Sequence, residues 1–317
     1  METNSEYRRR RIWDIIIKVL LAIFLLLLIL CILKIFLDCR EVRKQQQIWQ
    51  EKHEVYKRTG DIYEDIDPEH WEVIPDTIAP YKEEELDSLP PAVSLEAFFP
   101  PIGDQNPHGT CVVWATGYNL TTALKAIKYH WTQDDLKNPA NQVSPKDLMN
   151  GIDADSKPYG CDGTFYDDAF NVLTTTGAAS MEKVPYNNLG SCNGKHYGDP
   201  DNVLRYYKRV ISANGELPSA KQIKAYISDT IPLVVSAHVG DRFMEWSGDA
   251  VVDDDTYLKP GQMHAHHAMV ITGYDDAKNA FRLRNSWGEE WGDEGSVWVD
   301  YDYFMSGFGL AIFMAEK

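Results

Sequence analysis

The stretch Asp104–Ala115 reads DQNPHGTCVVWA and sets one cysteine, Cys111, directly after a Gly-Thr pair at the head of an apolar run. A thiol attacks as its thiolate, and the N–H groups and dipole at a helix N-terminus favour that anion. Such a cysteine also needs a base to take its proton. The segment GQMHAHHAMVITGYDD offers His264, His266 and His267 ahead of an apolar strand. An imidazole acting as base needs a partner that holds its ring. RNSWGEEWGDEG supplies Asn285 at the end of the next strand-like run, then Trp287, whose indole would shield the pair from water. Three histidines so close together could also bind a metal. No acid or cysteine at matching spacing accompanies them, so neither a metal nor an organic cofactor is expected.

These residues need elements to position them. From Cys111 to about His130 the pattern is helical, with Thr110 as a candidate N-cap and Leu120, Ala123, Leu124 and Ile127 on shared faces. Further helices are expected near Tyr166–Thr176 and Ser219–Thr230. The later runs IPLVVSAHV, HHAMVITGY, AFRLRNSW and GSVWVDYDYF read as strands separated by Gly and Asp turns. Helices followed by an antiparallel sheet predict an α+β fold. A hairpin of the second and third of these strands would bring His267 and Asn285 side by side, with Asp275 and Asp276 in its turn. Asn119 heads a glycosylation pattern, NLT, but falls on a helix expected to be packed, so the pattern is expected to be unused.

Taken together the motifs resemble the papain-like (C1) cysteine peptidases. DQNPHGTCVVWA resembles the family's nucleophile segment, HAMVITGY its histidine strand and NSWGEEWGDEG its asparagine turn; GCDGT (160–164) resembles the wall of its substrate groove, and MEKVPY the stretch after it. The resemblance covers about Leu89 to the C-terminus. It implies a two-lobe fold, with a helical lobe carrying Cys111 and a β lobe carrying His267 and Asn285. It also implies that Cys111 is the nucleophile, His267 the base and then acid, Asn285 its orienter, and Gln105 an oxyanion donor beside the Cys111 N–H. Gly163, Thr164, Ser236, Ala268 and Trp287 would line the substrate site. His264 and His266 become loop residues beside the cleft. Cys111 alone reads as a small buried hydrophobe; with Gln105, His267 and Asn285 in register it reads as a nucleophile.

The chain departs from the family pattern in places. A cysteine expected three residues before the nucleophile is His108, the aromatic expected after it is Val112, and Thr164 stands for a second glycine. The bridge from position 108 cannot form, so Cys161 is free or pairs with Cys192. His267 follows Cys111 by 156 residues and Asn285 by 174, against about 130–150 in the family. SGDAVVDDDTYLKPGQ is a natural place for the insertion. These departures suit a microbial branch of the family.

The 317 residues carry a net charge of -17 and no Lys/Arg stripe through the body, which argues against nucleic acid as a partner. Residues 1–11 form a basic tail. Ile15–Leu37 reads IIIKVLLAIFLLLLILCILKIFL. As a helix it would be about 34 Å long, matching a hydrocarbon layer of roughly 30 Å. A transmembrane anchor over 12–37 is therefore expected, in preference to a cleaved signal peptide. Arg8–Arg11 favour a cytoplasmic N-terminus, with the body across the membrane. Residues 38–88 read as a juxtamembrane helix and an acidic linker, a candidate pro-segment. From Asp61 to Glu96 there are twelve acids against Lys82, the pattern of a solvated stretch or of a segment folded over the body. Residues 89–317 would be the peptidase domain.

The expected function is that of a membrane-anchored cysteine endopeptidase acting on a peptide or protein through a thioester. Two alternatives stand beside it: a catalytically silent peptide-binding module at a membrane, and an acyltransferase or ligase in which an amine replaces water.

Overall fold

The computed structural model describes residues 34, 77–78, 81–82, 86, 88–157, 160–187, 189–190, 192–211, 217–253 and 265–317. The expected anchor over 12–37, Lys34 apart, lies outside the described residues, as do the basic tail, the juxtamembrane helix and His264. Among the described residues no helix is long and apolar enough to cross a membrane. The residues from Thr77 onward belong to one unit.

Helix α1 begins at the nucleophile candidate. It is α-helical over Cys111–Val113, π-helical over Trp114–Thr121 and α-helical again over Thr122–Tyr129. The π stretch was not expected from the apolar spacing. Two hydroxyls bond back along it: Thr116 Oγ1 donates to the Val112 carbonyl (2.7 Å) and Thr121 Oγ1 to the Thr116 carbonyl (2.7 Å). Such wide turns are frequent at functional sites. Val112, Val113, Leu120, Ala123 and Ala126 are buried, whereas Leu124 and Ile127 are half-buried. Shorter helices follow: α2 (Gln133–Lys137), α3 (Pro145–Gly151) and α4 (Tyr166–Thr175). The β part contributes α5 (Ala220–Ser228), opened by a Ser219/Gln222 capping box, and the short α6 (Asp241–Met244).

The strands are β1 (Thr77–Ile78), β2 (Ala92–Ser94), β3 (Tyr206–Val210), β4 (Leu233–Val239), β5 (Val251–Val252), β6 (Ala265–Asp275), β7 (Ala280–Arg284), β8 (Ser296–Asp300) and β9 (Gly309–Glu316). Their spatial order is β1-β3-β9-β4-β6-β7-β8-β5, with β2 also on β6. All pair antiparallel except β1 with β3 and β5 with β8. The run GSVWVDYDYF is a strand only to Asp300, whose carboxylate accepts the Tyr303 N–H (3.0 Å) and opens a helical turn. The α+β order is as expected. β6 and β7 form the expected hairpin, and in its turn Asp275 Oδ1 accepts the Ala277 N–H (2.8 Å).

Two further expectations change. Packed structure begins before Leu89: β1 adds to the β3 edge, Leu86 is buried, and Tyr81 sits on α5. Its ring lies 4.8 Å from that of Tyr226, its hydroxyl donates to Asp229 Oδ2 (2.6 Å), and its carbonyl accepts from Gln222 Nε2 (2.7 Å). Part of the acidic linker is thus strapped to the body, because an aromatic side chain and a two-residue strand outweigh the charge around them. Thr110 stands at the N-cap position, but its hydroxyl is not a cap; it bonds Tyr186 Oη (2.6 Å).

Candidate active site

Cys111 enters the site at the first turn of α1, and α1 packs against β6. The peptide N–H of Ala268 on β6 donates to Cys111 Sγ (3.3 Å), which sets the thiol beside the His267–Ala268 peptide. His267 and Ala237 are register partners on β6 and β4. Asn285 follows the last residue of β7. Its Oδ1 lies 2.6 Å from His267 Nε2 and also accepts the Ser286 N–H (2.7 Å). A carboxamide oxygen only accepts, so Nε2 carries the hydrogen and the lone pair of the neutral ring is on Nδ1. That Nδ1 is buried and makes no hydrogen bond. The Trp287 ring lies over the imidazole, with centroids 4.3 Å apart.

Cys111 and His267 have no exposed surface (0 % each), and Asn285 keeps 1 %. Burial penalises an isolated imidazolium and pushes the His267 pKa down to about 4, against the opposing effect of the Asn285 hydrogen bond. Burial therefore favours the neutral imidazole at His267.

Gln105 is buried and held at both ends. Its Oε1 accepts from Ser286 Oγ (2.7 Å), its Nε2 donates to the His108 carbonyl (3.0 Å), and its main-chain N–H donates to the Ser286 carbonyl (2.9 Å). The Tyr186 hydroxyl donates to the Gln105 carbonyl (2.9 Å). Having spent its one proton there, it accepts from Thr110 Oγ1. Desolvation pushes the Tyr186 pKa up to about 12, which keeps that proton in place.

The groove wall is anchored by a disulfide between Cys161 and Cys192, while Cys111 takes no part in a disulfide. Asp162 Oδ1 accepts the Gly109 N–H (3.0 Å) and lies 3.8 Å from His108 Nδ1. A carboxylate thereby joins the nucleophile loop to the wall without the covalent bridge that a residue-108 cysteine would have made. Gly163 takes φ 152°, which suits only glycine. Thr164 is buried, and its hydroxyl donates inward to the Ser156 carbonyl (3.4 Å). Ser236 and Ala268 are register partners, both buried, so neither presents exposed surface to a ligand in this structure.

One further side chain fixes the two lobes at the site. Arg284, the residue before Asn285, donates from Nη1 to Glu96 Oε2 (2.7 Å), from Nε to Asn119 Oδ1 (3.2 Å) and from Nη2 to the Pro100 carbonyl. The end of β7 is thereby tied to α1. Asn119, buried and bonded, offers no glycosylation acceptor. Ser286, Tyr186, Asp162 and Arg284 were not singled out from the sequence. Their neighbours Asn285, MEKVPY and GCDGT were, and those motifs are the signal that leads to them.

Fold and site together define a cysteine protease built on two lobes, with a helix N-terminus on one and a histidine strand on the other. The model of the papain family of cysteine proteases matches residues 95–308, and the chain belongs to that family as a cysteine peptidase. Mexicain from Jacaratia mexicana is 26% identical over 198 residues, covering 62% of this chain and 81% of mexicain. Cathepsin B-like CP3 from Giardia intestinalis is 26% identical over 204 residues, 62% of each chain. The oryzain gamma chain from Oryza sativa is 27% identical over 198 residues, 62% of this chain and 50% of oryzain. The chain thus spans most of mexicain but only about half to three-fifths of the latter two. Among solved structures, xylellain from Xylella fastidiosa shares the fold at TM-score 0.63 and 21% identity, over 83% of this chain and 97% of xylellain. Procathepsin L 3 from Tenebrio molitor larval midgut shares it at 0.62 and 18%, over 84% and 79%.

Proposed function

We propose that Cys111, His267 and Asn285 form the catalytic triad of a membrane-anchored endopeptidase, with Gln105 and the Cys111 N–H as oxyanion donors. The observation that carries this reading is the His267 ring. Asn285 takes its Nε2 hydrogen, which leaves the lone pair on a buried Nδ1 that makes no hydrogen bond, and the next peptide N–H holds Cys111 Sγ. Nδ1 takes the thiol proton as Sγ attacks the scissile carbonyl carbon. The carbonyl oxygen becomes an oxyanion that accepts from Gln105 and from the main chain at Cys111. The imidazolium then gives its proton to the leaving amine, and a thioester remains. Water, deprotonated by His267, attacks the thioester and releases the acid and the thiol. Asn285, carrying no charge, orients the ring throughout. No residue in this scheme calls for a metal or an organic cofactor.

The test is labelling of the full chain with an active-site-directed thiol electrophile. Selective labelling of Cys111 that is lost in His267→Ala supports the triad. Labelling no faster than that of a simple thiol counts against it.

The anchor reading rests on the sequence of residues 15–37 and on the arginines before it. It places the N-terminus in the cytoplasm and the peptidase on the other side. Resistance of the chain to alkaline extraction from membranes, with the body shielded from protease added on the cytoplasmic side, is the expected result. His108 and Thr164 further suit a microbial-type branch of the family.

A further inference from the structure

A recess of about 320 Å³ adjoins the candidate site through Trp287, the indole that lies over His267. It is lined by Asn106, Met244, Glu245, Trp246, Ser247, Trp287, Glu290 and Trp291. Its walls are tied together. Trp291 Nε1 donates to the Phe243 carbonyl (3.1 Å), the Gly292 N–H to the Trp246 carbonyl (3.0 Å), and the Gly248 N–H to the Gly292 carbonyl (2.9 Å). Trp287 and Trp291 meet edge to face, 5.2 Å between centroids, with Phe243 packed behind both. The segment after α6 and the turn after Asn285 thus form one preassembled wall. Asn106, next to Gln105, also lines the recess.

The recess has a definite place in the reaction. The Gly160–Thr164 wall meets the nucleophile loop through Asp162 and Gly109, on one side of Cys111. Trp287 lies over His267, the ring that would hand its proton to the departing amine, and so borders the recess on the histidine's side of the site. Whatever fills the recess belongs to the leaving half of the substrate.

Its chemistry is specific. Three indoles line it, and the ionisable groups among its described lining residues, Glu245 and Glu290, are exposed carboxylates. Among the described residues the lining includes no lysine, arginine or histidine, and Arg242 on the adjoining turn is not part of it. Indole faces attract cations, and carboxylates at the mouth add ion pairing. The volume is at the small end for ligand sites, sized for one long side chain.

We propose that this recess is a specificity subsite that takes a lysine or arginine side chain from the residue following the scissile bond. The proposal rests on the peptidase reading of the adjoining site. Glu245 and Glu290 supply the charge selection, and Trp246, Trp287 and Trp291 hold the aliphatic stem and the cationic head.

The experiment uses the full chain and internally quenched peptides that differ only after the scissile bond: lysine, norleucine or glutamate. The expected kcat/KM order is lysine, norleucine, glutamate, with lysine ahead of norleucine by about 5- to 30-fold. The ratio shrinks toward unity in the Glu245→Gln/Glu290→Gln double variant and on raising salt. It is unchanged in Glu182→Gln, an exposed carboxylate outside the lining. Equal rates for lysine and norleucine, or a lysine preference that survives in the double variant, overturn the proposal while leaving the peptidase intact. If no peptide is cleaved, the peptidase reading fails on its own. Binding of peptides with N-terminal lysine or norleucine to the Cys111→Ala protein then reads the recess directly. Tighter binding of the lysine peptide, lost in the double variant, supports the subsite, and equal binding overturns it.

Discussion

The sharpest consequence of the buried site is the direction in which acid acts through His267. The imidazole has no exposed surface, and burial lowers its pKa from 6.5 to about 4. A folded-state pKa below the unfolded value means that the unfolded chain binds more protons between those two values, so stability falls as the pH is lowered through that window. Two and a half units correspond to about 3 kcal/mol in full, of which about 2 kcal/mol is lost between pH 7 and pH 5. The assay is denaturant unfolding of the full chain at pH 7, 6, 5 and 4.5, for wild type and for His267→Gln. Other groups titrate equally in both, so the difference in slope isolates this ring. Wild type should lose about 2 kcal/mol more than the variant by pH 5. Parallel profiles would refute the burial argument. A wild type that gains on the variant as the pH falls would show that the imidazolium is stabilised, as in a preformed thiolate–imidazolium pair.

Other outcomes follow from single contacts. Asn285→Ala frees the imidazole ring and should lower kcat on the order of 10²-fold with a smaller change in KM, measured on any cleaved peptide; an unchanged kcat would remove Asn285 from the mechanism. Asp147, fully buried, accepts the N–H groups of Ala179 (2.8 Å), Tyr197 (2.9 Å) and Gly198 (3.1 Å). Asp147→Ala strands these donors and should cost about 3–5 kcal/mol in denaturant unfolding. Tyr81→Ala removes the ring contact with Tyr226 and the bond to Asp229. It should lower stability by about 1–3 kcal/mol with peptidase activity unchanged; a rise in activity would instead mark the linker as an inhibitory lid.

The site was legible in the sequence wherever a local segment carries its own chemistry. Cys111 at a helix start, His267 on a strand and Asn285 at the next strand's end each belong to a short motif whose backbone form follows from its own residues. Antiparallel pairing of consecutive strands then brings the last two together. The α+β order was legible for the same reason, since apolar periodicity is local. The strap around Tyr81 was not, because a charge-rich composition hides one aromatic anchor. The π-helical turns of α1 were not, since apolar spacing does not register a hydroxyl bonding back along the helix.

What only the tertiary structure decided is the set of partners that hold the site. Asp162 reaches Gly109 across 53 residues, Tyr186 reaches Gln105 across 81, and Arg284 reaches Asn119 across 165. Sheet register and lobe packing bring those atoms together, and no short motif encodes them. Burial is likewise a property of the assembled molecule. The sequence by itself singled out His267 as the candidate base. Only the packing around His267 decided how much its charge costs, and only the closing of residues 243–248 against the turn after Asn285 made three indoles and two carboxylates into one recess.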